Sequence, residues 1–187
     1  MSNSLIGCSL DSLHLDENLV PTFIPVVQEF ISKFSSTVGV FRVSGNHKII
    51  SELHVLLNYK ECSIPPCASV HDVAGFLKSW LKSLPEPLIT PAVFNEFFIP
   101  DNEESVKEVI SRLYITNRRV LAYVFRIIYD VYEKSSINQM TIPNISTCFQ
   151  TSLTQESNGL EKHLPFKFFL LNSIQFLNPD GYDFNFE

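Results

Sequence analysis

A chain of 187 residues is long enough to bury one sizeable core and short for two, so a single domain is expected over residues 1–187. With 45% hydrophobic and 18% charged residues it is neither a disordered nor a fibrous chain. The formal net charge of −6 argues against general attraction to nucleic acid, and any anionic partner has to be met at a local patch.

No apolar run approaches membrane-spanning length, and the opening Met1-Ser2-Asn3-Ser4 lacks the charged and apolar regions of a signal peptide, so a cytoplasmic chain without a transmembrane segment is expected. Cys8, Cys62, Cys67 and Cys148 have no zinc-ligand spacing and are read as reduced structural thiols. The five histidines are scattered and form no His-Glu-x-x-His pattern, so no metal is expected.

In chain order, Val26, Val27, Phe30, Ile31 and Phe34 predict an amphipathic helix from Ile24 to Phe34, with Pro25 suited to its first position. The small polar residues Ser35 to Gly39 end it. Gly39-Val40-Phe41-Arg42-Val43-Ser44-Gly45 then reads as a loop turned by its two glycines, with Ser44 or Asn46 capping the next helix. Ile49, Ile50, Leu53, Leu56 and Leu57 form that helix's stripe. Arg42 is thereby held between two anchored helices. Its guanidinium, always charged and carrying five fixed donors, suits phosphate oxygens; the ordinary alternative is a surface arginine in a salt bridge.

Pro65-Pro66 force an extended connection. Ser69 and Asp72 then form a capping box for a helix carrying Val70, Val73, Leu77, Leu81 and Leu84, which Pro85 stops. Lys78 and Lys82 lie one turn apart on its flank, either as a solvated pair or as a strip facing an acidic partner. Leu84-Pro85-Glu86-Pro87-Leu88 is a rigid exit. A short helix from Thr90-Pro91 to Phe98 follows, then one carrying Val106, Val109, Ile110 and Leu113, and a long one from Asn117 to about Glu133. Thr141 can cap a helix through Ile145 and Phe149, with Pro143 in its first turn and Asn144 exposed near its start, and Pro165 to Leu177 predicts one more. Without strand-like alternation or repeats, the fold class is all-α, with about eight or nine helices.

A self-sufficient enzyme would show a nucleophile elbow, a phosphate loop or a metal cluster. None is recognisable among only six glycines, which leaves an unrecognised helical active site as a remote reading.

Taken together, Gly39–Gly45, the stretch Asp72-Val-Ala-Gly-Phe-Leu-Lys-Ser-Trp-Leu-Lys-Ser-Leu-Pro-Glu-Pro-Leu-Ile89, and Asn138-Gln-Met-Thr-Ile-Pro-Asn-Ile-Ser146 resemble the RhoGAP domain, the activator module of Rho-family GTPases. The resemblance runs from about Leu5 to Leu153, beginning at Gly7-Cys8-Ser9-Leu10 and leaving 154–187 as a closing helix and tail. It implies that Arg42 is the arginine finger inserted into the partner's nucleotide site, and that Lys78, Lys82 and Asn144 belong to the GTPase-binding face. It implies no cofactor of the chain's own, since GTP and Mg belong to the GTP-bound Rho, Rac or Cdc42-type partner, and a monomeric activator rather than an enzyme. Three departures stand out. Lys82 replaces an arginine that braces the finger loop, Tyr114 replaces a proline while Asn117 is kept, and Phe149-Gln150-Thr151 stands where the family has phenylalanine, glycine and proline. A catalytically weak, GTPase-binding or scaffold module is the alternative they suggest.

Overall fold

The computed structural model describes residues 4–97, 102–155 and 169–170. Over them a 3-10 turn, Leu10–Ser12, precedes α1 (Phe23–Lys33), α2 (His47–Leu56), α3 (Val70–Ser83), α4 (Pro91–Phe97), α5 (Glu103–Ser111), α6 (Ile115–Tyr132), α7 (Ser135–Asn138) and α8 (Ile142–Thr154). The extended pairing among the described residues is an isolated bridge between Leu15 and Pro21, so the domain is all-helical as expected.

Local chemistry sets most boundaries. The Ser69 and Asp72 box forms: the Asp72 carboxylate accepts the Ser69 N–H at 2.7 Å and the Ser69 hydroxyl accepts the Asp72 N–H at 3.3 Å. Asn46 caps α2 by accepting the Lys48 N–H at 2.9 Å. α1 starts at Phe23, so Pro25 sits inside the first turn rather than at its first position, where a missing N–H still costs nothing. Thr141 is extended ahead of α8 but its hydroxyl caps nothing, and Pro143 in the first turn leaves one N–H fewer to satisfy. The four-residue α7 escaped the sequence reading because it is too short to show a period. Of the helix expected over 165–177, Phe169 and Leu170 are helical and buried, and the rest lies outside the described residues.

α3 lies at the centre of the packing, with α1, α2 and α8 against it and α6 behind α1. Trp80 and Phe76 of α3 meet the Phe23 ring edge-on at 4.9 and 5.6 Å, and such aromatic pairs add roughly 0.5–1.5 kcal/mol to the burial itself. A Cβ on Gly75 would stand 2.7 Å from the Ile50 Cδ1, so this glycine lets α2 close on α3. The Pro85–Leu88 exit is tied down rather than free. The Gln155 amide donates to the Leu84 carbonyl at 2.7 Å, Asn117 to Leu88 at 3.1 Å, and the Ile89 N–H to Leu153 at 2.9 Å. No helix among the described residues is long and apolar enough to cross a membrane.

Candidate functional site

Gly39 opens the loop that carries Arg42. Its φ of +70° belongs to the left-handed region, and a Cβ there would approach the Val43 Cγ2 to 2.9 Å. The Gly39 carbonyl accepts both the Arg42 and the Val43 N–H at 2.8 Å, closing a tight turn. At the other end a Cβ on Gly45 would lie 2.7 Å from both the His71 carbonyl oxygen and the Asp72 Cα, and the Asn46 N–H donates to Asp72 at 2.6 Å. The loop therefore rejoins the body at Gly45 against backbone that cannot yield, and leaves it at Gly39 through a left-handed turn whose N–H is held by the Asn138 carbonyl at 2.8 Å. Burial alone would raise the Asp72 carboxyl, but hydrogen bonds from the Ser69 hydroxyl and from the Asn46 and Ser69 N–H groups outweigh it and hold the group below its usual range.

Between those ends the first half of the loop turns inward and Arg42, Val43 and Ser44 turn outward. Val40 and Phe41 are fully buried, and the Phe41 ring meets Phe149 of α8 edge-on at 4.7 Å. The Lys78 ammonium, half-buried on α3, donates to the Phe41 carbonyl at 2.5 Å. Burial pushes the Lys78 pKa below its ordinary value, an effect that Cys148 beside it opposes. Burial likewise raises the Cys148 thiol, against the pull of Lys78 and Arg42.

Arg42 itself points outward. Its side chain is exposed and, among the described residues, makes no ion pair or hydrogen bond, so the surface-salt-bridge alternative fails here. Val38, Val43 and Ile137, all exposed, stand in or beside the same loop.

The sequence-predicted positions are gathered around this loop to different degrees. Lys78 touches it. Lys82, one turn on, is exposed, and the lysine that hydrogen-bonds the loop is Lys78. Asn144, part-exposed at the start of α8, donates to the Gln139 carbonyl at 2.9 Å. Phe149, which matches the family, is buried and so is Gln150, so one of the two altered residues of that stretch faces the interior rather than a partner.

Asn138 was missed by sequence reasoning. It is completely buried at the end of α7; its amide nitrogen donates to the carbonyls of Ser35 at 2.7 Å and Val131 at 2.6 Å, and its amide oxygen accepts the Met140 N–H at 2.7 Å. Its own carbonyl accepts the Gly39 N–H at 2.8 Å. Asparagine in a polar stretch looks like surface, and nothing in the local spacing marks this one as buried.

The site is thus an outward arginine on a loop anchored at both ends, with the Lys78 ammonium on the Phe41 carbonyl beneath it. A sequence model of the RhoGAP domain matches residues 21–158. The chain belongs to the RhoGAP domain family. As a RhoGAP domain it is similar to Rho GTPase-activating protein 12 of Macaca fascicularis, 30% identical over an alignment of 164 positions that covers 82% of this chain and 19% of the relative. It is 29% identical over an alignment of 188 positions to Rho GTPase-activating protein 20 of Mus musculus, covering 95% of this chain and 16% of that protein. The chain thus spans about a fifth or less of these relatives. The crystal structure of human Rho GTPase activating protein 15 superposes with a TM-score of 0.80 at 25% identity, covering 95% of this chain and 92% of that one.

Proposed function

We propose that this RhoGAP domain stimulates GTP hydrolysis by a Rho-family GTPase, with Arg42 delivered in trans to the partner's nucleotide. The observation that carries the reading is the free guanidinium of Arg42 on a loop fixed at Gly39, Phe41 and Asn46. Phosphoryl transfer places growing negative charge on oxygens that a closed site solvates poorly, and a prepositioned cation lowers that barrier selectively. In small GTPases a finger supplied in trans is worth about 10³ to 10⁵ in rate, or roughly 4 to 7 kcal/mol. In this reading GTP, Mg and the attacking water belong to the partner. The chain supplies charge and orientation and is an activator rather than an enzyme. Lys82 and Asn144 contribute to the docking face, and Lys78 supports the finger from below.

The test is single-turnover GTP hydrolysis by a panel of Rho, Rac and Cdc42-type GTPases with and without the chain. Wild type should accelerate at least one of them, and Arg42→Ala should abolish nearly all of that acceleration while still binding the GTP-bound partner. Equal acceleration by Arg42→Ala would sink the assignment. The second reading, a GTPase-binding module of low activity, draws on Lys82, which leaves the loop without the arginine brace. Binding to the GTP-bound form without acceleration by wild type would select it.

A further inference from the structure

We infer that Asn138 is the positioning residue of the finger loop, setting Arg42 and Asn144 in one register; this rests on the proposed activator function. Its polar groups are all engaged. Besides the three side-chain bonds, its N–H donates to the Lys134 carbonyl at 2.9 Å and its carbonyl receives the Gly39 N–H at 2.8 Å. The side-chain amide therefore ties together the turn after α1 at Ser35, the last turn of α6 at Val131 and the lead-in to α8 at Met140, and so fixes the backbone carbonyl of the same residue that holds the start of the loop at Gly39.

The geometry makes the coupling directional. The Gly39 N–H holds the residue whose carbonyl closes the turn under Arg42, at 2.8 Å to the Arg42 N–H. The next residue after Asn138, Gln139, is left-handed at φ 62°, and its carbonyl is the one that Asn144 grips at 2.9 Å. Displacing the Asn138 backbone moves both attachment points together. Because the side chain is fully buried, it touches no partner and acts only through these neighbours. A buried amide with every group paired also has a single low-energy orientation, since any rotation leaves a desolvated donor or acceptor.

A merely structural asparagine and a positioning one differ in how they combine with the finger. The experiment is a double-mutant cycle in single-turnover GTP hydrolysis, using the Rho-family GTPase that responds best to wild type, with Asn138→Ser, Arg42→Ala and the pair. Misplacing a reacting group by about 1 Å costs on the order of 10²-fold, so Asn138→Ser should lower the maximal rate roughly 10- to 100-fold. The half-saturating concentration should shift far less. In the Arg42→Ala background the same change should cost almost nothing more. A full, additive loss in that background, or an effect confined to half-saturation, overturns the proposal.

If the serine variant shows no cooperative melt, Asn138→Gln, which keeps the amide but moves it by one methylene, takes its place. A further measurement needs no variant: amide hydrogen exchange on wild type. The Gly39 and Met140 amides should open with the same free energy, as groups released by one event. Free exchange at Gly39 while Met140 stays protected refutes the coupling. If wild type accelerates no GTPase at all, the activator reading fails, and the exchange result still decides whether Asn138 holds the loop.

Discussion

At Lys78 an ammonium group gives up much of its water to reach the Phe41 carbonyl, while Lys82, a turn away, keeps its charge in solvent. Two lysines of equal sequence appearance should therefore behave differently. Lys78→Met keeps the stem's packing and leaves the Phe41 carbonyl without its donor, a change of about 1–3 kcal/mol where the acceptor stays buried. It should lower the maximal hydrolysis rate more than it weakens binding. Lys82→Ala should instead slow association and flatten its dependence on ionic strength, as loss of an exposed interfacial charge does. Stopped-flow association at two salt concentrations, beside single-turnover rates, separates the two. A Lys78→Met variant that only binds less tightly would remove its role as a brace.

Among the elements, the contact between the Arg42 loop and α8 bears on how steady the arginine is. Phe149→Ala opens a space against Phe41 and should cost about 3–5 kcal/mol of stability. Gly45→Ala drives a methyl into the backbone at His71 and Asp72 and should cost roughly 1–3 kcal/mol. Both are measured by urea denaturation, and a neutral Gly45→Ala would show that the loop can shift away from α3. These contacts also explain which parts of the site were legible beforehand. The arginine, its flanking glycines, the Asn46 cap and the Ser69 box are local patterns, readable within a few residues. The bond from Asn138 to Ser35 joins residues 103 apart and the Phe41 pair joins two buried rings, and neither leaves a period or spacing in the chain. The roles of Lys78 and Lys82 were unreadable for a related reason. Spacing puts both on one strip, but only packing decides which of them is covered.

For the molecule as a whole, acid is the condition to which the packing is most exposed. His54 is buried on α2, with Nε2 2.7 Å from the Ser79 hydroxyl and its ring 4.8 Å from Phe76, and burial lowers its pKa from the usual 6.5 to about 4. Its carbonyl also accepts the Leu5 N–H at 2.9 Å, so the N-terminal segment hangs on the same residue. Between those two pKa values the unfolded chain binds a proton that the folded chain refuses. Its contribution is therefore fully present above about 6.5 and is lost as pH falls toward 4. Asp72, held below its usual range, adds to the loss at still lower pH, as its carboxylate is protonated through its folded value. Denaturation midpoints should fall from pH 7 to pH 5, and His54→Gln, which can still bond Ser79, should reduce that fall. An unchanged pH dependence in the variant would assign the acid sensitivity elsewhere.

The anchors of the Arg42 loop come from far along the chain: Asp72 and Lys78 from α3, Asn138 from α7 and Phe149 from α8. During synthesis Arg42 emerges more than a hundred residues ahead of its last support, Phe149. Contacts of such separation close late in folding. A partly made chain thus carries the arginine without its mount, and any activity that depends on that mount arrives only with the finished fold.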